Sequence, residues 1–237
     1  MNAVLRRELK GYFLTPTGYL FMVMFLALSG LLFYLNNLLT RGSDLMPFFD
    51  MLSYVWMLLS PVLVVKLLAG ERQQAADPLL VTSPLSSGAI VLGKFFAAVT
   101  VLLIFMALTL LYPLLVAAYS RVWASEIFAV YLGFILQGVA FVALDLMVTG
   151  FMKRSATAVA AALGVNLFVW LTGLLAAAPF VPAAVSRAIS FLSLYERFVP
   201  FLSAQLSFAN MLYYVLFSAV MLAAAIAAME LRRIRTT

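Results

Sequence analysis

Residues 95–119 read FFAAVTVLLIFMALTLLYPLLVAAY and contain no charged side chain. A helix needs about 20 apolar residues to cross the hydrocarbon core of a bilayer, so this run is long enough to span a membrane. Five other stretches of the chain have a similar length and apolar character. The six predicted spans are Gly18–Leu39, Met51–Ala69, Phe95–Tyr119, Ile127–Gly150, Thr157–Ala178 and Ala209–Met229. The predicted fold is an all-α integral membrane protein with a single domain over residues 1–237.

The composition agrees with a membrane protein and excludes several kinds of site. Hydrophobic residues make up 66% of the chain and charged residues 10%, whereas soluble domains contain about 45–50% apolar and about 25% charged residues. Cysteine and histidine are both absent, which excludes disulfides, Ser-His and Cys-His catalytic pairs and His-ligated metals. The net charge of +6 is attributed to cytoplasmic flanks of the spans, so no nucleic-acid partner is expected.

The distribution of lysine and arginine predicts the orientation, because cytoplasmic loops of membrane proteins are enriched in these residues. If both termini are cytoplasmic, the residues on that side are Arg6, Arg7, Lys10, Lys66, Arg72, Lys94, Lys153, Arg154, Arg232, Arg233 and Arg235. The residues left outside are Arg41, Arg121, Arg187 and Arg197. We therefore predict a multi-pass protein with both termini in the cytoplasm.

Two segments between or before the spans have helical periodicity. The first, NAVLRRELKGYFLTP, precedes the first span and ends at Pro16. It predicts an amphipathic helix on the inner leaflet, or alternatively an arm that docks a partner. Its apolar face consists of Leu5, Leu9, Tyr12 and Phe13, and its basic face of Arg6, Arg7 and Lys10. The second segment lies between Pro182 and Pro200, outside the membrane, and predicts a short helix that lies on or dips into the outer leaflet. Its apolar positions are Val185, Ile189, Leu192 and Phe198.

The stretch SSGAIVLGKF, residues 86–95, contains the spacing G-x-x-x-x-G-K of a phosphate-binding loop. In such a loop a Ser or Thr follows the lysine and holds Mg²⁺, but here Phe95 follows Lys94. The intervening residues are apolar, as at the start of a membrane helix. We therefore interpret Lys94 as an anchor at the inner leaflet, and Gly88 and Gly93 as part of the entry into the third span.

The loop between the second and third spans reads GERQQAADPLLVTSPLSSGAIVLGK, residues 70–94. Asp77-Pro78 favours the start of a helical turn. The sequence alone fits either a surface loop or a short helix that contacts a cytoplasmic partner. The residues that this pattern indicates for such a contact are Glu71, Arg72, Asp77, Leu79, Leu80 and Pro84.

This loop resembles the signature of type-2 ABC exporter permeases, which combines E-R, L-L, T/S-S-P and I-V-L-G-K. The resemblance adds Thr82 and Ser83 to the residues with an expected coupling role. The stretch from Arg7, RELKGYFLTPTGYLFMVMFLALSG, and the stretch LYERFVPFLSAQLSFANMLYYVLF before the last span resemble the gliding-motility-type branch of that family. The resemblance covers nearly the whole chain in order. At residues 75–78 and 201–207 the sequence differs from the motifs that are usual in this family.

The resemblance implies a non-enzymatic permease subunit of the bacterial inner membrane. The loop after its second span would form a coupling helix that docks into a cleft of a separate cytoplasmic ATPase, which would bind ATP and Mg²⁺. The permease itself would need no cofactor. A second permease, either an identical copy or a paralogue, would complete the translocation pathway, and a periplasmic or membrane accessory subunit could join. Two alternatives stay open: a secondary carrier or channel without an ATPase, and an assembly factor for an envelope machine.

Asp145 is the only acidic residue well within a predicted span. Ionisable residues inside a membrane are energetically costly and generally have a functional or structural partner. Asp145 lies about five residues, or about 7.5 Å, from the inner end of its span. We expect a structural pair with Lys66, with a gating role or a proton relay as alternatives.

Overall fold

The structure is a computed structural model that describes residues 2–72, 86–152, 154–176, 182 and 192–236. Every regular element of these residues is helical. The helices are α1 (Asn2–Phe13), α2 (Pro16–Phe33, continued by a wider π-helical turn over Tyr34–Leu38), α3 (Met46–Arg72), α4 (Ser87–Thr109), α5 (Leu111–Ala117), α6 (Ala124–Phe151), α7 (Ser155–Ala176), α8 (Leu194–Leu202) and α9 (Phe208–Thr236).

Six stretches of helix are long and apolar enough to cross a membrane, which confirms the predicted number of spans for the part of the chain described. They are Gly18–Leu38, Met46–Lys66, Ser87–Ala117, Ala124–Phe151, Ser155–Gly173 and Phe208–Leu231. We call the end of the bundle at which α3 ends and α4 begins the inner end. Its assignment to the cytoplasm stays a prediction.

Helix α6 occupies the centre of the bundle, where it contacts α3, α4, α7, α8 and α9. In the spans formed by α3 and α6, 67% of the residues are buried, against 28% in those formed by α2, α7 and α9. The core is rich in aromatic side chains, such as Phe25, whose ring stacks on that of Phe105 at 4.8 Å and meets Trp56 edge-on at 5.9 Å. The middle of the bundle is therefore filled by packed side chains.

Prolines shape the second and third spans in different ways. Helix α3 continues through Pro61, which a membrane helix tolerates when a neighbouring helix satisfies the freed carbonyl. It begins at Met46, five residues before the predicted start, and the Asp44 carboxylate accepts a hydrogen bond from the Met46 amide at 2.8 Å. The third span breaks at Leu110 into α4 and α5. Pro113 explains this break, because its ring nitrogen cannot donate to the carbonyl of Thr109.

The outer segment forms helix α8, which differs from the prediction in where it ends. Pro200 was expected to end the helix, yet it lies inside α8, which begins after the capping residue Ser193 and continues to Leu202. The segment is also buried against the bundle: the ring of Phe201 contacts α6 at Gly133, where a Cβ atom would overlap it. The Tyr195 hydroxyl donates to Asp50 Oδ1 at 2.9 Å, which links α8 to α3. Burial and the neighbouring Asp50 raise the pKa of Tyr195. Val185 and Ile189 lie outside the described residues.

Candidate functional site

The predicted coupling residues fall where the structure describes little. Glu71 and Arg72 form the last two positions of α3, and only their backbone is described. Asp77, Leu79, Leu80, Thr82, Ser83 and Pro84 lie outside the described residues. The structure does describe the helices on either side of this loop, α3 and α4, and helix α1, which packs beside them.

Helix α1 packs against α4, α2 and α3 at the inner end. Val4, Glu8 and Tyr12, spaced four residues apart, are buried, while Arg6 and Lys10 are exposed. The helix and the exposure of Arg6 and Lys10 agree with the prediction, and residues at a spacing of four share one face of a helix. The position of α1 on the inner leaflet stays a prediction. The buried face differs from the predicted one because it contains a carboxylate, Glu8.

Glu8 forms a buried ion pair with Lys94. The Lys94 ammonium donates to Glu8 Oε1 at 3.4 Å, and Lys94 is only 3% exposed. Arg7 also donates to the same oxygen, at 3.1 Å. Our interpretation of Lys94 as a leaflet anchor was therefore wrong. A buried ammonium needs a partner because its desolvation is costly, and α1 brings that partner to the start of α4.

Lys66, near the end of α3, contacts α1 in a different way. Its Nζ lies 4.9 Å from the centre of the Tyr12 ring, within the range of a cation–π interaction. Among the described residues this ammonium has no hydrogen-bond acceptor. Burial raises the pKa of the Tyr12 phenol above its ordinary range, so the ring stays neutral. Glu8, Tyr12, Lys66 and Lys94 together form what we call the inner-end cluster, which ties α1 to both helices that flank the loop.

A second polar group lies in the middle of α3, beside Pro61. Pro61 has no backbone N–H, which leaves the carbonyl of Met57, four residues earlier, without its intrahelical donor. The Asn166 side chain in α7 donates to this carbonyl at 3.1 Å. Asn166 is buried and Nδ2 also lies 3.5 Å from Ser60 Oγ. The neighbouring helix thus satisfies the carbonyl and allows α3 to continue through the proline.

Asp145 in α6 completes this group, which we call the polar cluster (Ser60, Asp145 and Asn166). The Ser60 hydroxyl donates to Asp145 Oδ2 at 2.7 Å. Asp145 is 0% exposed, and among the described residues its Oδ1 has no hydrogen-bond partner. The polar cluster therefore joins α3, α6 and α7 around the proline of α3.

The expected pair between Asp145 and Lys66 is not formed. Asp145 contacts α3 at Ser60, and Lys66 lies six residues farther along that helix, or about 9 Å at 1.5 Å per residue. The ammonium of Lys66 instead lies over Tyr12. The prediction failed because it compared only the depth of the two residues in the membrane.

The G-x-x-x-x-G-K stretch lies within a helix. Ser86 caps α4 by accepting a hydrogen bond from the Ala89 amide at 3.3 Å, and Gly88 to Lys94 are all helical. A phosphate-binding loop instead wraps backbone N–H groups around the phosphates before its helix begins. This confirms the interpretation of the stretch as the entry into the third span.

Sequence reasoning missed Glu8, Ser60 and Asn166. Asn166 had a signal, because Pro61 required a donor from another helix and an asparagine is a strong donor in an apolar span. Glu8 is the single acidic residue of a basic helix, which indicates a partner without identifying it.

Comparisons of the chain with models of known families and with curated proteins found no match.

Proposed function

We propose that this protein is the transmembrane subunit of an ATP-driven exporter of the type-2 ABC class, located in the bacterial inner membrane. In this proposal the loop over residues 71–84 docks into a cleft of a separate cytoplasmic ATPase, which binds ATP and Mg²⁺. The observation that carries the proposal is the resemblance of this loop to the signature of such permeases, at the expected place between the second and third of six spans.

The inner-end cluster supports a mechanical role for the loop. Force on a loop reaches the membrane only if the helices at its two ends are held firmly. Here Lys66 of α3 contacts Tyr12, and Lys94 of α4 pairs with Glu8, so a single helix, α1, connects both ends. A displacement of the loop would therefore move α3, α4 and α1 together.

The packing of the bundle supports a pathway between two permeases. Helix α6 and its neighbours fill the centre of the described bundle, whereas only 28% of the residues are buried in the spans formed by α2, α7 and α9. A substrate path is therefore better placed at an interface between two copies, or between this chain and a paralogue. An accessory periplasmic or membrane subunit would be compatible with such an assembly.

In the proposed cycle, ATP closes the ATPase dimer and moves the loop, and α3 carries this movement into the membrane. Pro61 is the position at which α3 lacks one backbone hydrogen bond, so bending is easiest there. A change at Pro61 alters the packing of α3 on α6 and α7 through the polar cluster. Two alternative packings of the spans would then open the interface to either side.

A secondary carrier is the second candidate, because the polar cluster contains a buried carboxylate within a span. Carriers of this kind bind a coupling ion near the middle of the membrane and need no ATPase. An assembly factor for an envelope machine is the third. Association with an ATPase separates the exporter from both.

The decisive residues for that association are Leu79 and Leu80. A few buried anchors dominate most protein interfaces, and truncating one costs about 2 kcal/mol or more, which corresponds to about 30-fold in affinity. We expect the tagged protein to co-purify from its native membrane with an ATPase that contains G-x-x-x-x-G-K-S/T. Leu79→Ala/Leu80→Ala should weaken this association by at least about 30-fold.

The matched control is Leu206→Ala, because Leu206 is an exposed leucine before α9, at the opposite end of the bundle. It should leave the association unchanged. Equal retention of the ATPase by the double-leucine variant and the control would reject residues 71–84 as the docking segment.

A further inference from the structure

The polar cluster contains two buried oxygens that lack hydrogen-bond donors among the described residues. They are Oδ1 of Asp145, which is 0% exposed, and Oδ1 of Asn166, which is 1% exposed. Buried polar atoms are almost always hydrogen-bonded, so two orphaned acceptors in one cluster require an explanation. Both belong to side chains whose other polar atom is already engaged, by Ser60 and by the Met57 carbonyl respectively.

The surroundings of Asp145 contain no compensating charge among the described residues. Its polar side-chain neighbours are Ser60 of α3 and Asn166 of α7, both uncharged. Among the charged side chains that the structure describes on the helices packed against α6, Asp50 accepts from Tyr195, Lys66 lies over Tyr12, Lys94 pairs with Glu8 and Arg197 donates to Asn210. Glu196 and Glu230 are acids and add no compensating positive charge. Helix α7 contains no charged residue. An isolated carboxylate in such a place would carry a large desolvation cost.

We propose that Asp145 is a proton-binding site inside the membrane and carries its proton at neutral pH. A proton on Oδ1 converts an orphaned acceptor into a donor and removes the uncompensated charge. Within the same cluster, Oδ1 of Asn166 is the other buried acceptor without a donor among the described residues. The Ser60 hydroxyl then donates to Oδ2, the carbonyl oxygen of the neutral acid, at the observed 2.7 Å.

The bound proton also maintains the contact of α3 with α6 and α7 beside Pro61. Release of the proton to water leaves a carboxylate, which must gain water or a cation to stay buried. Because Ser60 and Asn166 hold both Asp145 and the proline turn, admission of water separates these helices at that point. The proton therefore favours the packed state of the proline turn. This inference does not depend on the proposed export function.

The test is infrared spectroscopy of the purified protein in lipid at neutral pH, in H₂O and in D₂O. A protonated carboxyl gives a carbonyl band that an ionised carboxylate does not. We expect the difference between wild type and Asp145→Asn to contain this band, with a shift in D₂O. The matched control is Glu126→Gln, since Glu126 is an exposed acid in the first turn of α6, and it should retain the band in full.

The infrared spectrum of Ser60→Ala provides a second test, which does not depend on whether the Asp145→Asn variant folds. Loss of the Ser60 donor should shift the acid band of wild-type Asp145 to higher frequency, while Glu126→Gln leaves it in place. The absence of an acid band from the Asp145→Asn difference spectrum would overturn the proposal. So would a band that Ser60→Ala does not move.

Discussion

Pro61 removes one backbone donor from the most buried part of α3, and Asn166 replaces it from α7. This exchange explains why an apolar span contains an asparagine that is only 1% exposed. Ser60, next to the proline, connects the same turn to Asp145. At the residue scale, three polar side chains thus meet because one proline leaves one carbonyl free.

The contact between Asn166 and the proline turn can be measured with a double-mutant cycle. Asn166→Ala in the wild type leaves the Met57 carbonyl without a donor and should lower the free energy of unfolding by about 0.5–2 kcal/mol. In a Pro61→Ala background, residue 61 regains its N–H and can donate to Met57 itself, so Asn166→Ala should cost less. Denaturation in detergent, followed by circular dichroism, measures each corner of the cycle.

Thr100→Ala is the control for this cycle, because the Thr100 hydroxyl bonds only within its own helix, to the Phe96 carbonyl at 2.7 Å. Thr100→Ala should lower the free energy of unfolding by the same amount whether residue 61 is proline or alanine. If Asn166→Ala is also equally costly in both backgrounds, Asn166 does not compensate for the proline.

At the element scale, α1 is an integral part of the bundle. Its basic face remains exposed, while Val4, Glu8 and Tyr12 are buried against the spans. The periodicity of the sequence predicted both the helix and its end before Pro16. It did not predict the ion pair with Lys94, because the partner lies 86 residues away in the sequence.

The ion pair between Glu8 and Lys94 predicts a large and non-additive effect on stability. A buried charge that loses its partner entirely costs about 3–5 kcal/mol, and Arg7 still contacts Glu8, so each single substitution should cost less than this. We expect Glu8→Leu and Lys94→Met each to lower the unfolding midpoint, and the double variant to be more stable than the sum of the two effects implies. Thermal unfolding in detergent measures all three.

Lys10→Ala is the matched control, since Lys10 is an exposed cation of the same helix and exposed charges contribute little. Additive effects of Glu8→Leu and Lys94→Met would show that the two side chains do not act as a pair.

At the scale of the whole molecule, apolar length was enough to predict six spans and an all-helical fold. Length and composition report how deep a residue lies, but they do not report which way it faces. One residue turns a helix by about 100°, so the partner of Asp145 depends on rotations that only packing decides. That is why depth indicated Lys66, whereas packing brought Ser60 to Asp145 and Asn166 to Ser60.

In an exporter subunit of the proposed kind, the loop between α3 and α4 must face the cytoplasm and contact an ATPase. The chain lacks cysteine, so Ser83→Cys and Ser125→Cys each introduce one unique thiol. In living cells, a thiol-reactive crosslinker should join position 83 to a protein that contains G-x-x-x-x-G-K-S/T, and position 125, at the opposite end, should not be joined to it. Labelling of position 83 only from outside the cell, or the same ATPase crosslinked equally from position 125, would contradict the account.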